Sequence, residues 1–120
     1  MLKKYLHTRF RVSNMDRSVR FYGDVLGMEV IERKTSPRGS QLVFLRFPGT
    51  DCELELCSFP DSGKVDVPED LAHLAFQVQD LDECMEKLKA ANSPSPKVRL
   101  KRATECGSSL PRIRTNTKSN

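Results

Sequence analysis

Two histidines, His7 and His73, make up the whole imidazole inventory of this 120-residue chain, and each opens a short alternating run. HTRFRVSNMD (7–16) and HLAFQVQDLD (73–82) align without a gap. His7 meets His73, Phe10 meets Phe76, Val12 meets Val78 and Asp16 meets Asp82, with Met15 against Leu81. In both runs a period-two pattern gives way to a helix start, the mark of an internal repeat. Glu55, in ELEL (53–56), stands on a later strand of the first repeat; Glu53 shares its face, while Leu54 and Leu56 take the other. Two imidazoles and a carboxylate suit a borderline divalent metal, Zn or Ni first, then Fe, Mn or Co. Either histidine taken alone reads more simply as a structural residue, and Glu55 as a solvated strand carboxylate. That both histidines fall on one repeat position favours the metal site over that reading.

The elements that must position these groups follow from the same periodicities. LHTRFRV (6–12) reads as a strand with Leu6, Thr8, Phe10 and Val12 on one side and His7, Arg9 and Arg11 on the other. Ser13 and Asp16 resemble a capping box, and Met15, Val19, Tyr22, Val25 and Leu26 follow at helical spacing up to Gly27. Three strand-like runs come next, MEVIERKT (28–35), QLVFLRF (41–47) and CELELCSF (52–59), separated by the turn-rich SPRGS and PGTD. The expected order is β-α-β-β-β over residues 1–60, then a polar linker over 61–72, then a second module over 73–120. In that second module Asp80 and Glu83 form a capping box, and Leu81, Cys84, Met85 and Leu88 give the helix its apolar stripe. The fold class is α+β, with paired βαβββ modules of which the second is incomplete. The His7-to-His73 spacing carries Glu55 to position 121, and no convincing strand is expected after Asn92.

Charge and composition narrow the function classes. The net charge of +4 is unevenly spread: from Ser93 onward there are seven basic residues against Glu105, a local +6 that leaves about −2 for residues 1–92. A nucleic-acid role would rest wholly on that segment, which has no aromatic residue and no recognisable binding module, so none is expected. No run is apolar enough to span a membrane. The opening MLKKYLHTRFRV lacks the apolar core of a signal peptide, which makes the cytoplasm the expected compartment. Cys52, Cys57, Cys84 and Cys106 form no C-x-x-C pair and read as free thiols.

HTRFRVSNMDRSVRFYGDVLGMEV, then LELCSF, then AHLAFQV resemble the vicinal oxygen chelate superfamily and, within it, glyoxalase I (lactoylglutathione lyase). The resemblance covers about residues 5–92. It implies two βαβββ modules curved around one divalent metal, with His7, Glu55 and His73 matching three of the usual four ligands. It implies glutathione as co-substrate, isomerisation of its methylglyoxal hemithioacetal to S-lactoylglutathione, and a homodimer. Glu55 followed by Leu56 favours the glyoxalase-like branch and takes the catalytic carboxylate role, with Glu53 ranked second. Arg11 matches an arginine that contacts the glutathione carboxylate, a partner suited to a planar fork. Ser58-Phe59-Pro60 departs from the Asn often found there, which puts the identity of the thiol in question.

The family's last strand reads D-P-D-G-[YN]-x-I-E-L and supplies the fourth ligand, and nothing after Asn92 matches it. The closing residues have a second reading. Taken from the third base of each codon, Arg112 to Asn120 can encode D-P-D-x-Y-x-I-E-L. Asn116-Thr117 forces Tyr or His, and Asn120 followed by any stop forces Leu. The expectation is a glyoxalase-like chain with a shifted frame over its last strand and impaired activity. The alternative is a non-catalytic small-molecule or metal-binding member of the same superfamily.

Overall fold

The structure is a computed structural model that describes residues 1–61, 63–66, 68, 71–91, 98–101 and 112–116. It divides into two compact units, Met1–Val65 and Asp66–Asn120.

The first unit runs β1 (His7–Arg11), α1 (Met15–Arg20), β2 (Glu29–Thr35), β3 (Gln41–Arg46) and β4 (Glu53–Ser58). Its four strands lie in the order β1-β4-β3-β2, with β1 parallel to β4 and the other neighbours antiparallel. Burial alternates along β1 and β3, while β2 is exposed throughout and β4 is buried from Leu54 to Cys57. Val12, Val43, Leu45, Leu54 and Leu56 are buried and share the face that packs with Met15, Phe21, Tyr22 and Met28. Leu45 and Leu56 are fully buried.

The chain between β1 and β2 differs from the sequence expectation at both ends. The cap of α1 is Asn14, in extended backbone, whose Oδ1 accepts from the Arg17 N–H at 3.0 Å. Ser13 instead accepts at Oγ from the Val65 N–H at 2.6 Å, tying the chain beyond β4 back to the end of β1. A Ser one residue too early cannot reach the third N–H of the helix, so the Asn one step later takes the role. Beyond Arg20 the helix widens into a π-helical turn, Phe21–Val25, with the Leu26 N–H donating to the Phe21 carbonyl. Gly27 ends it at φ +86°, a conformation that costs a Cβ-bearing residue, while the Met28 N–H closes back on the Tyr22 carbonyl.

Strand β2 carries one extra residue. Val30 pairs with Leu45 but Glu32 pairs with Phe44, so Ile31 is a bulge. The bulge moves Glu32 and Lys34 onto the face that β3 presents through Phe44, opposite the apolar core.

The second unit runs β5 (His73–Gln77), α2 (Leu81–Ala90), β6 (Val98–Lys101) and β7 (Arg112–Asn116). Asp80 caps α2 by accepting from the Glu83 N–H at 3.1 Å. The stripe Leu81, Cys84, Met85 and Leu88 is the half-buried side of that helix. Where the sequence pattern was read as lacking final strands, two form: Val98 and Leu100 alternate with basic residues, and Ile113 and Thr115 are β-branched, which suffices for a short hairpin pair. The sheet order is β5-β7-β6, and β7 runs antiparallel to β5. In the first unit the strand beside β1 is parallel to it. By direction and sequence order, β6 and β7 therefore correspond to β2 and β3. Among the described residues no strand corresponds to β4.

Candidate functional site

The face of the first sheet opposite the core carries most of its ionisable groups, Arg33 being registered against core-facing Val43. Strand alternation places His7, Arg9 and Arg11 on this side of β1, and Glu53, Glu55 and Cys57 on this side of β4. Glu55 stands out because it is 1% exposed in a row where His7, Arg9 and Arg11 are all exposed. A buried carboxylate is costly unless its oxygens are partnered. Arg9 partners one of them, its Nη2 lying 3.1 Å from Glu55 Oε1. The hydrogen bond to Glu55, and then the carboxylate's charge, hold the Arg9 guanidinium more firmly protonated than a free one.

The other oxygen is different. Glu55 Oε2 lies 3.1 Å from His7 Nε2, yet the two are not aligned as a hydrogen bond, and Oε2 is buried without a hydrogen-bond partner. The registered partner of His7 is Glu53, with Glu55 opposite Arg9. The His7 side chain reaches Glu55 along the diagonal, in the direction that side chains lean along a strand. Phe44, opposite Glu55 on β3, fixes the imidazole from the side by an edge-on contact at 5.9 Å between ring centroids. Lys34 Nζ lies 5.2 Å from the centroid of the Phe44 ring and pairs with Glu32 at 3.3 Å.

An imidazole nitrogen and an orphaned carboxylate oxygen 3.1 Å apart are a donor pair that suits a borderline divalent cation. The chemistry of the pair therefore fits the metal read from the sequence. Within the first unit, among the described residues, no further His, Cys, Asp or Glu converges with them to make a set of three. His73 stands in the second unit as the first residue of β5, exposed, with Asn116 of β7 as its registered partner. Arg11 is exposed on the same face as His7, opposite Cys57. Glu105 lies outside the described residues. Sequence reasoning gave Arg9 and Phe44 no role, although Arg9 was placed on the His7 face by the same alternation. A separate cleft of about 500 Å³ lies between α1 and β2, lined by Asp16, Arg20, Asp24 and Arg33 among others, and includes neither His7 nor Glu55.

The model of the Glyoxalase/Bleomycin resistance protein/Dioxygenase superfamily matches residues 4–104. The chain belongs to this superfamily. Within it, the similarity is to glyoxalase I. The chain is 37% identical over 89 residues to a lactoylglutathione lyase of Neisseria meningitidis, covering 72% of this chain and 64% of that protein. It is 32% identical over 100 residues to a probable lactoylglutathione lyase of Synechocystis, covering 76% of each. It thus spans slightly less than two thirds of the first of these relatives. Among solved structures it resembles the trypanothione-dependent glyoxalase I of Leishmania major with a TM-score of 0.69 and 28% identity, covering 88% of this chain and 75% of that one. The α+β fold with a βαβββ first unit agrees with that membership. Among the described residues no helix is long and apolar enough to cross a membrane.

Proposed function

We propose that this chain is a metal-dependent lyase of the glyoxalase I type, acting on the hemithioacetal of methylglyoxal and glutathione to give S-lactoylglutathione. One observation carries the reading: Glu55 Oε2, buried and without a hydrogen-bond partner, faces His7 Nε2 at 3.1 Å. His7, Glu55 and His73 would hold the metal, with Zn or Ni as first choices. When bound, the metal supplies Lewis-acid polarisation of the substrate's oxygens. Glu55 would also supply the carboxylate that carries a proton between the two adjacent carbons, while Arg9 holds its Oε1. Arg11 offers its planar fork to a substrate carboxylate. The family relationship adds a homodimer and a cytoplasmic setting to this reading.

The proposal includes impairment. No D-P-D-G-[YN]-x-I-E-L run follows Asn92 in the sequence, and the family takes its fourth ligand from that run. The purified chain, loaded with Zn²⁺ or Ni²⁺ and given methylglyoxal and glutathione, is expected to form thioester slowly or not at all while still binding metal. Robust turnover refutes the impairment. Absence of any metal affinity refutes the metal reading and leaves the second one, a non-catalytic member that binds a small molecule in the same place. The Arg9–Glu55 ion pair favours that second reading, because it supplies Glu55 with a cation from the chain itself.

A further inference from the structure

The geometry points to Arg9 as the positioning and charge-compensating partner of Glu55: it holds Oε1, turns Oε2 alone toward His7, and sets the affinity of the site for an external cation. This inference rests on the metal reading of the His7–Glu55 pair and deepens it.

Three observations carry it. First, Glu55 is 1% exposed and its two oxygens have unequal surroundings: Oε1 meets Arg9 Nη2 at 3.1 Å, while Oε2 meets only the misaligned His7 Nε2. A buried carboxylate with one oxygen clamped has its rotation fixed, so the free oxygen points where the clamp dictates. Second, the strands themselves bring the two residues together, since Arg9 and Glu55 are registered partners in the parallel β1–β4 ladder. No adjustable loop intervenes. Third, the Arg9 side chain is 59% exposed while that of Glu55 is 2% exposed. The guanidinium therefore enters from the open side of the sheet, beside the space an incoming cation would occupy.

The consequences have opposite signs in the empty and loaded protein. Without metal, Arg9 compensates a charge that would otherwise be buried and unpaired, so its loss destabilises the fold. With metal, the same guanidinium is a like charge next to a divalent ion and denies it the second carboxylate oxygen, so its loss tightens binding. A unit charge about 5 Å from a divalent ion in a water-like dielectric opposes binding by about one power of ten in affinity. Because the guanidinium is more than half exposed, the water-like value is the appropriate one.

The test uses the full chain, Co²⁺ as the probe, and the variants Arg9→Met, Arg9→Lys and Glu55→Gln with the double variant Arg9→Met/Glu55→Gln. In EDTA, Arg9→Met is expected to lower the melting temperature by about 5 °C. Adding Glu55→Gln is expected to cancel most of that loss, because no charge is then left to compensate. In Co²⁺ titrations, Arg9→Met is expected to bind about tenfold tighter than the parent, and Arg9→Lys to bind as the parent does, since it keeps the charge. A purely structural arginine would weaken or leave unchanged the cobalt affinity on removal, and either result overturns the inference. Additive effects of Arg9→Met and Glu55→Gln in EDTA overturn it as well. If no variant binds Co²⁺, the metal reading of the site falls, and the metal-free cycle still decides the Arg9–Glu55 coupling by itself.

Discussion

His7 Nε2 sits 3.1 Å from Glu55 Oε2, although the residue registered across from His7 in the parallel ladder is Glu53. A parallel pair staggers its side chains, so the functional neighbour is the diagonal one. The two glutamates of ELEL are thereby separated by burial as well as by position, Glu55 being buried and Glu53 only half-buried. The expected outcome is a clear split: Glu55→Gln lowers metal affinity at least a hundredfold, whereas Glu53→Gln changes it by less than about threefold. Isothermal titration with Zn²⁺ or Co²⁺ measures both, and equal losses would show that the two carboxylates are interchangeable.

The apolar face that supports the site is thin and depends on few side chains. Leu45 and Leu56 have no exposed surface, and Leu56 shares β4 with Glu55. Leu56→Ala is expected to cost about 2–5 kcal/mol in urea unfolding, from lost transfer energy and the cavity left behind. Because a disturbed β4 also shifts Glu55, metal affinity should fall with it. Leu45→Ala on β3 should cost a similar amount with a smaller effect on metal binding.

Helix α1 offers a test that separates two adjacent polar residues. Asn14→Ala removes the cap of the Arg17 N–H and is expected to cost about 1 kcal/mol. Ser13→Ala leaves that cap intact and instead releases the bond from the Val65 N–H. Hydrogen exchange should therefore quicken at the start of α1 in the first variant and at Val65 in the second.

The thiols differ in ways that pH can read. Burial raises the Cys84 thiol above its ordinary value of 9.0, with Lys87 opposing. The folded form holds the proton more tightly than the unfolded one. The stabilising contribution is therefore complete below about pH 9 and fades as the pH climbs through the folded value. Urea midpoints compared at pH 8 and pH 10 should fall less in Cys84→Ala than in the parent. With iodoacetamide, exposed Cys52 is expected to react before half-buried Cys84, and buried Cys57 only on unfolding.

The gene supplies a prediction independent of any protein measurement. Read one base out of register over Arg112–Asn120, its nucleotide sequence is expected to spell D-P-D-x-Y-x-I-E-L. A different string there ends the frame-shift explanation of the closing residues.

How far the sequence could be read depended on whether the signal was local. The strands β1 and β4 were legible because each alternates, and β3 because its apolar run Leu42–Leu45 lies between turn-rich stretches; the burial of Leu54 and Leu56 follows from the alternation, whereas that of Glu55 does not. The Asp80 cap was legible for the same reason: the residue pair that forms it is three apart. The cap of α1 was misplaced by one residue because Ser13 and Asn14 are both competent caps, and the contact that decides between them comes from Val65, more than fifty residues away. The Arg9–Glu55 pair needed the parallel register of β1 against β4, which no local pattern states. Strands β6 and β7 were overlooked because four- and five-residue runs crowded with basic side chains carry little hydrophobic period.

The bulge at Ile31 works as a phase switch in the inside–outside code of β2. Before it, Val30 keeps step with core-facing Leu45; after it, Glu32 and Lys34 keep step with Phe44 on the other face. Drawing Ile31 into the ladder as a paired residue would swap the allegiance of everything up to the next turn, taking Lys34 away from Phe44 and onto the core side. The two halves of β2 can therefore be redesigned as separate surfaces, provided the residue between them is left uncounted.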